Sequence, residues 1–347
     1  MREITYAEAL VEGLREALEA DPRVHLIGGY FFGLSPRRAL MTRLREDFPD
    51  RVSDPPIAEL GYCGIGIGAA LAGLRPIVDV ATASFIFQAW PQIVNEAANA
   101  RYMSGGQLAV PVVFHLLHGI RGGGAAQHSH SPQAMLWNCP GLEIVLPSTP
   151  ADAKGLLKTA VASNNPTIFV DHPRLFELKG PVPEGEVRIP FGRAEVKRRG
   201  RDVTVVATSL MVQRSLAAAE ALAGDGIEVE VVDPRTLVPF DEAGILASVR
   251  KTGRLVVADE CHLRCGVAAE IAASVAGRGF RHLVAPIGRV AAADVPIPFS
   301  PALERFVEPT QRKIEAAVRE VLGRRPSRRK AARRARPARR TRRRSAR

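Results

Sequence analysis

The sequence predicts an α/β fold of two doubly wound domains, each built on a mainly parallel sheet. Short apolar runs rich in Val and Ile alternate with helical segments along almost the whole chain. Such runs are typical of parallel strands that are buried on both faces by helices. With 347 residues, 46% of them hydrophobic, the chain is long enough for two domains with real cores.

The first domain is predicted over residues 1–175. Ser35 is the expected cap of its second helix, with Pro36 in the first turn, and a later helix has to accommodate Pro91. In chain order the predicted elements are helix 6–20, strand VHLIGG, helix SPRRALMTRLREDF, helix 59–73, strand LRPIVDVAT, helix FIFQAWPQIVNEAANARYM, strand VPVVFHLL, strand LEIVLPS, helix STPADAKGLLKTAVAS and strand PTIFVDH.

Residues 176–190 are predicted to be an interdomain linker, because they are rich in Pro, Gly and charge and show no periodicity. The second domain is then expected over residues 191–322. Its predicted strands are DVTVVATS, IEVEVVDPRT, RLVVADE and HLVAPIG, and the helices between them are MVQRSLAAAEALAG, DEAGILASVRKT and CGVAAEIAASVAG.

The basic character of the chain is confined to its C-terminal end. The formal net charge is +12, but residues 323–347 hold 14 Lys and Arg and no acid, which leaves −2 for residues 1–322. A low-complexity basic segment cannot form a core, so we interpret it as a disordered solubilising tail. The alternative that stays open is binding of nucleic acid, an anionic membrane or an acidic partner through this tail.

Composition favours a protein of the reducing cytoplasm. No run of about eighteen apolar residues occurs, so no membrane span is expected. The first residues form an amphipathic, acid-rich pattern that is unlike a signal peptide or a mitochondrial leader. The four cysteines are scattered, which does not fit a disulfide framework. Cys261 and Cys265 lack the second ligand pair of a zinc site.

Glu59 stands at the start of the glycine-rich helix and is followed by GYCGIGIG. Without Cβ atoms this helix lets a flat molecule approach its backbone closely, and a half-buried acid beside it can hold or share a proton. GIGIGA formally fits a dinucleotide-binding pattern, but SDPPIAELGY precedes it instead of the required strand. Further along, the glycine hinge of GGGAAQHSHSPQA leads to His128. These two segments carry most of the functional argument.

A set of longer segments resembles one known family over residues 3–320. The chain looks like the β subunit of the thiamine-diphosphate-dependent 2-oxo acid dehydrogenases, the decarboxylase component of the pyruvate, branched-chain and acetoin dehydrogenase complexes. The segments PSTPADAKGLL and GPVPEGE are similar to those of the acetoin-type and bacterial branch of the family. The matching segments are PIAELGYCGIGIGAALAGLRPI, IVNEAANARYMSGG, GGGAAQHSHSPQA, PGLEIVLPSTPADAKGLL, NNPTIFVDH, VVDPRTLVP, SVRKTGRLVVADE and RVAAADVPIPFSPALE.

The resemblance implies a transketolase-like architecture with a pyrimidine-binding domain and a transketolase C-terminal domain. The diphosphate and its Mg²⁺ would lie on a separate α subunit, in an α/β heterotetramer with each active site between α and β. Gly224, Asp225 and Gly226 form only a turn here, without the rest of a diphosphate motif. The implied activity is oxidative decarboxylation of a 2-oxo acid, followed by acyl transfer to the lipoyl-lysine of a dihydrolipoyl acyltransferase.

The resemblance also implies roles for individual residues. Glu59 matches the acid that activates the cofactor at its pyrimidine ring, which agrees with the need for one fixed, dry carboxylate. Phe85 would pack on the pyrimidine, and Tyr62 would line the cofactor. His128 matches the active-site histidine that orders the substrate and the acyl acceptor. His130 replaces a common Gln and has a supporting role.

Other positions match the family with substitutions. His115 and His118 replace Arg or a small residue, and they either shape the substrate pocket or are core histidines. Ser163 stands where an aspartate is usual at a K⁺ site, which weakens that site for a hard cation. The residues that match this K⁺ site, mostly through backbone carbonyls, are Val112, Ala160, Val161, Ser163 and Asn165.

Gly29 and Pro91 replace two acids of a buried channel that links the two active sites in many members. Proton communication between the sites is therefore expected to be altered or absent. Two other functions stay open: a split thiamine-dependent synthase or ligase without a lipoyl partner, and a non-catalytic or nucleic-acid-tethered paralogue. The sequence does not name the substrate.

Overall fold

The strands assemble into two large sheets and one small ribbon. The computed structural model describes residues 1–28, 38–185 and 187–323, so the expectations for Gly29, Ser35, Pro36 and the basic tail lie outside the described residues. The strands are β1 (Arg2–Thr5), β2 (Val24–Ile27), β3 (Val52–Ser53), β4 (Arg75–Thr82), β5 (Val113–Leu117), β6 (Glu143–Val145), β7 (Thr167–Asp171), β8 (Lys179–Val182), β9 (Glu195–Arg198), β10 (Val203–Ala207), β11 (Val229–Asp233), β12 (Thr236–Val238), β13 (Leu255–His262) and β14 (Gly288–Ala292).

The helices lie between the strands, as the alternating pattern predicts. Thr5 begins the first helix with a capping box, in which its hydroxyl accepts from the Glu8 backbone N–H. The α-helices are α1 (Tyr6–Ala20), α2 (Arg38–Asp47), α3 (Glu59–Leu71), α4 (Ala98–Met103), α5 (Gln133–Trp137), α6 (Pro150–Ala162), α7 (Leu210–Ala223), α8 (Glu242–Thr252), α9 (Val267–Gly279), α10 (Pro301–Val307) and α11 (Gln311–Val321).

The first sheet has the strand order β12-β6-β7-β5-β4-β2-β3. Its pairs are parallel except the edge pair of β12 with β6. Every residue of β5 and β7 is buried, which explains why these strands are continuous apolar runs rather than alternating ones. The predicted parallel sheet of the first domain is thus confirmed.

The second sheet has the order β14-β13-β10-β11-β9, and only the edge pair of β9 with β11 is antiparallel. A separate antiparallel ribbon pairs β1 with β8. Strand β12 follows β11 in the chain but completes the edge of the first sheet. The second predicted α/β unit therefore contributes one strand to the sheet of the first unit.

The structure corrects three of the predicted secondary-structure elements. The helix predicted over FIFQAWPQIVNEAANARYM is a 3₁₀ helix (Ala83–Gln88), a π-helical turn (Pro91–Ala97) and α4, because Pro91 cannot donate the bond that a continuous α-helix needs. The strand predicted at HLVAPIG is wrong, and β14 begins only at Gly288. The linker predicted over 176–190 contains β8, which was missed because its residues are mostly polar or exposed.

The carboxyl ends of β4, β5 and β7 meet at one edge of the first sheet, as parallel neighbours must. Loops that leave this edge carry the residues that the sequence marks as functional. Ligands in open α/β sheets bind outside the carboxyl ends of the strands. The fold therefore places the candidate site at this edge.

Candidate active site

Glu59 is the first residue of α3, and only 8% of it is exposed. Its carboxylate lies at the positive end of the helix dipole. In the part of the chain that the structure describes, the carboxylate accepts no hydrogen bond and forms no ion pair. Burying a carboxylate without a partner costs free energy unless a bound ligand supplies a hydrogen bond or a charge.

Tyr62 lies one helical turn after Glu59, so both side chains start from the same face of α3. The residue is 3% exposed, and its buried hydroxyl has no hydrogen-bond partner among the described residues. Burial and, next, the charge of Glu59 raise the pKa of Tyr62 far above its usual value, so the phenol stays neutral. The hydroxyl is a second polar group that awaits a partner.

A cavity of about 390 Å³ lies beside Tyr62. Gly28 forms part of its wall with φ +96°, and a Cβ there would lie 2.7 Å from the Asp79 carbonyl oxygen. Glycine is therefore required at this turn. The cavity is lined by Gly28, Asp54, Pro55, Pro56, Ile57, Tyr62 and Asp79.

Phe85 and His128, two of the residues that the sequence marks as functional, lie against each other. Their ring centroids are 5.5 Å apart in an edge-to-face arrangement. Phe85 lies in the 3₁₀ helix after β4, and His128 ends the short 3₁₀ helix Ala126–His128 after the glycine hinge. The neighbouring pair of Phe87 and His130 repeats the arrangement at 5.4 Å. His128 is exposed and accessible to a substrate.

The glycine hinge is held by a residue of the second domain. The backbone N–H groups of Gly122 and Gly123 donate to the Glu304 carboxylate at 3.1 and 3.2 Å. Glu304 lies on α10 and is buried. No local sequence pattern marks Glu304, since it lies 182 residues away from its partner Gly122. Glu304 fixes the loop that carries His128.

His115 is a core histidine rather than a pocket residue. Its Nδ1 lies 3.0 Å from Asp79 Oδ1 and its Nε2 lies 2.8 Å from Asp171 Oδ2. Burial alone would lower the pKa of His115, but the hydrogen bonds and charges of Asp171 and Asp79 raise it above its usual value. Asp79 also lines the cavity beside Tyr62, so this buried chain begins at the site.

His118 is also buried, in a polar cluster between the two sheets. Its ring nitrogens lie 3.1 Å from the hydroxyls of Ser131 and Ser209. Burial and the nearby His172 lower the pKa of His118 to about 3, so the ring is neutral. A neutral imidazole held at both nitrogens has a structural role here. The sequence leaves open whether His115 and His118 shape the substrate pocket or are core histidines. The burial and contacts of both rings agree with the core interpretation.

The residues of the predicted K⁺ site lie together, but their carbonyls already have partners. Arg75 Nη1 donates to the Val161 and Ser163 carbonyls at 2.9 and 2.8 Å, and its Nη2 donates to Asn164 Oδ1 at 2.7 Å. The carbonyls of Val112, Ala160 and Asn165 accept from the Thr167 N–H, the Ser163 N–H and the Thr167 hydroxyl, respectively. The Arg75 guanidinium therefore lies where the resemblance implies an ion. Because it already occupies two of the carbonyls, these residues fit K⁺ poorly.

Within the described residues, no group of three or more His, Cys, Asp and Glu side chains could hold a metal ion. None of the helices in those ranges is both long and apolar enough to cross a membrane. The cysteines Cys63, Cys139, Cys261 and Cys265 are all free thiols.

Two protein-family models match almost the whole body of the chain. The transketolase pyrimidine-binding domain matches residues 2–177, and the transketolase C-terminal domain matches residues 192–314. Among solved structures, a split-gene transketolase described as an inactive beta4 tetramer is similar, with a TM-score of 0.75 and 25% identity over 92% of this chain and 98% of that one.

Curated relatives are similar over nearly their full length. The beta subunit of acetoin:2,6-dichlorophenolindophenol oxidoreductase from Bacillus subtilis is 40% identical over 93% of this chain and 98% of that protein. The 2-oxoisovalerate dehydrogenase subunit beta of the same organism is 40% identical, covering 92% and 99%. A mitochondrial pyruvate dehydrogenase E1 component subunit beta-1 from Arabidopsis thaliana is 42% identical, covering 92% and 88%.

Proposed function

The chain belongs to the transketolase-like family of pyruvate, acetoin and 2-oxoisovalerate dehydrogenase β subunits, and we propose that it is the β subunit of such a decarboxylase component, with thiamine diphosphate as its cofactor. The observation that carries this proposal is the buried, unpartnered Glu59 carboxylate, one helical turn before Tyr62, whose side chain lines the cavity. The cysteines, all free, support a reducing compartment, and we place the protein in the cytoplasm.

Thiamine diphosphate, when bound, supplies a carbon nucleophile for the carbonyl group of the substrate. Glu59 would hold a hydrogen bond to the pyrimidine ring nitrogen and stabilise a proton there. A carboxylate that is largely buried is screened little by water, so its charge acts strongly on that nitrogen. Tyr62, kept neutral by burial, would present its hydroxyl to the same ring.

Phe85 and His128 would complete the site. The Phe85 ring would pack on the pyrimidine face and fix its orientation. His128 is exposed, contacts Phe85 edge-on and would donate a hydrogen bond or a proton to a substrate oxygen. Because Glu304 holds the hinge before His128, the ring is positioned before substrate arrives.

A second subunit has to supply the rest of the site. Gly224–Gly226 is a turn between α7 and β11, so it offers no diphosphate site. On and before α3, Ile57, Leu60 and Ile65 are 70%, 52% and 62% exposed, and the Cβ positions of Gly61, Gly64 and Gly68 are open or only in ordinary contact. Large exposed apolar side chains beside bare backbone fit a protein interface. We assign this face to an α subunit that carries the diphosphate and Mg²⁺, in a heterotetramer.

The electron and acyl acceptor is proposed to be the lipoyl-lysine of a dihydrolipoyl acyltransferase. A split transketolase-like synthase without a lipoyl partner is the second candidate, and the structural likeness to the split-gene transketolase supports it. The 40% identity to dehydrogenase subunits over more than nine-tenths of the chain favours the dehydrogenase.

For the potassium ion, we propose that the Arg75 guanidinium takes its place. It already donates to two of the carbonyls that the ion would need, and Ser163 lacks the charge of the usual aspartate. A K⁺ ion at the same carbonyls would lie beside a fixed positive charge.

The test is purification of the tagged chain from its source cells, with mass spectrometry of its partners. An α subunit and a lipoylated acyltransferase are expected. An α subunit without any lipoyl protein would favour the synthase. Recovery of the chain alone, or with nucleic acid, would contradict the proposal and favour a non-catalytic paralogue that acts through its tail.

Activity of the purified complex is then measured with pyruvate, 2-oxoisovalerate and acetoin, with 2,6-dichlorophenolindophenol as the electron acceptor. Glu59→Gln keeps the shape but removes the charge, and it should lower kcat at least about 10²-fold while the subunits stay assembled. Glu220→Gln, an exposed acid on α7, is the matched control and should be unchanged. Retained activity of Glu59→Gln would contradict the assignment.

A further inference from the structure

Arg121 is a half-buried cation without an anionic partner. It lies between the buried end of β5 and the glycine hinge, and its Nη2 donates to the Thr82 hydroxyl at 2.7 Å. Within the described ranges its guanidinium forms no ion pair. Burial lowers the pKa of Arg121, with no carboxylate opposing the effect. Half-buried guanidinium groups are normally compensated by a carboxylate or a phosphate.

The position of Arg121 is fixed relative to the active site. Thr82 is the last residue of β4, and Phe85 follows one 3₁₀ turn later, which corresponds to a rise of about 6 Å. The hinge that starts at Arg121 leads back to His128, whose ring contacts Phe85. Arg121 and His128 thus contact the two ends of the same short segment.

The chemistry of this cation selects among the substrates that the proposed function leaves open. A guanidinium has five N–H donors in a planar fork that matches a carboxylate in a bidentate manner. Thr82 uses one donor and is neutral, so the charge stays uncompensated. A 2-oxo acid carries a carboxylate next to its reacting carbonyl, whereas acetoin carries none.

We propose that Arg121 binds the carboxylate of a 2-oxo acid and makes such acids, rather than acetoin, the substrates of this protein. The inference rests on the proposed function and narrows its substrate class. Arg121 acts as a specificity residue: it orients the substrate carbonyl toward the cofactor while Thr82 holds the guanidinium in place. The bonds of Glu304 to Gly122 and Gly123 fix the backbone that directly follows Arg121.

The experiment uses the complex purified with its α subunit and compares Arg121→Gln, Arg121→Lys and the surface control Arg278→Gln. Steady-state kinetics are measured with pyruvate and 2-oxoisovalerate, and inhibition with methyl acetylphosphonate, an anionic analogue of pyruvate. For Arg121→Gln we expect KM and the inhibition constant to rise about 10- to 100-fold, with kcat changed far less. Arg121→Lys should recover part of the loss, and Arg278→Gln should match the parent.

Cofactor binding separates this inference from a merely structural role. The dissociation constant of thiamine diphosphate, measured by fluorescence titration, should be the same in all variants. Unchanged KM in Arg121→Gln, an equal loss of cofactor affinity, or a parent complex that oxidises acetoin but no 2-oxo acid would overturn the role of Arg121 and leave the proposed function standing. A parent complex without activity on any of these substrates would instead overturn the proposed function.

Discussion

His172 and Glu260 join the two sheets through a buried imidazole–carboxylate contact. His172 follows β7 of the first sheet and Glu260 belongs to β13 of the second, and the His172 Nε2 and Glu260 Oε2 atoms are 2.9 Å apart. Both side chains are buried. The Arg174 N–H donates to His172 Nδ1, and the Ile120 N–H donates to Glu260 Oε1. The pair therefore fixes the strand end from which the glycine hinge leaves.

Removing the charge of Glu260 should destabilise the protein strongly. Glu260→Gln leaves a buried histidine opposite an amide, and losing a buried hydrogen bond to a charged group costs about 1.5–3 kcal/mol. Calorimetry of the complex should show a clearly lower Tm. Glu228→Gln breaks an ion pair with Arg198 that is more exposed, and it should cost less than about 1 kcal/mol. Equal losses of Tm in the two variants would show that the His172–Glu260 pair contributes no more stability than an exposed ion pair.

The same pair predicts an acid-labile domain contact. Burial alone would raise the pKa of Glu260, but the interaction with His172 lowers it to about 2, below the ordinary value of 4.5. A depressed folded-state pKa contributes stability that is complete above the unfolded value and is lost as the pH falls from about 4.5 through 2. Unfolding midpoints measured in urea between pH 6 and 3 should fall steeply in the parent and less in Glu260→Gln. Parallel pH profiles would contradict this.

His115 predicts an opposite dependence on pH. Its folded-state pKa is raised by Asp171 and Asp79 above the usual 6.5, and Tyr6 also donates to Asp171. A raised pKa contributes stability that is complete below the unfolded value and is lost as the pH rises through the folded one. His115→Gln should therefore destabilise the protein more at pH 6 than at pH 9. A loss that is equal at both pH values would mean that only packing matters.

The sequence predicts the parallel strands well because β4, β5, β7, β10 and β13 are apolar on both faces, which leaves a continuous signal. It misses β1, β8 and β9, whose exposed and charged residues give no hydrophobic pattern. The crossing of β12 into the first sheet depends on tertiary pairing with β6 and has no local signal.

The residues of the site also divide into those that the sequence predicts and those that it misses. Glu59, Phe85 and His128 lie in motifs, and the structure brings Phe85 and His128 into contact. Their chemical roles stay predictions. Arg121 and Glu304 were missed, because a lone cation or acid becomes meaningful only through partners 39 and 182 residues away. Sequence patterns report periodic burial and long motifs, and single long-range polar contacts leave no such trace.

The replacement of two channel acids predicts independent active sites. Pro91 opens the π-helical turn and carries no titratable group, and Gly29 lies outside the described residues. Without both acids we expect the two sites of the heterotetramer to react at one rate, with a single-exponential burst of two products per tetramer in stopped-flow. Pro91→Asp restores one acid only and should leave the burst unchanged. Half-of-sites behaviour that changes with this single substitution would refute the prediction.

Arg75 predicts that the protein needs no potassium. Its guanidinium donates three bonds, at 2.9, 2.8 and 2.7 Å, to Val161, Ser163 and Asn164. Replacing NaCl by KCl at equal ionic strength should therefore leave the parent Tm unchanged. Arg75→Gln leaves these oxygens without their cation and should cost about 1.5–3 kcal/mol.

In Arg75→Gln, added K⁺ should restore part of the lost Tm, whereas tetramethylammonium, which is too large to enter between the carbonyls, should not. The substitution Arg23→Gln, at a neighbouring arginine whose side chain donates to Asp21 and to no other described residue, is the control and should show no K⁺ response. The comparison isolates the carbonyl cluster from general salt effects, which act on both variants alike. A parent protein whose Tm rises with K⁺ would show instead that arginine and the ion bind together, because the carbonyl oxygens can then accept from both.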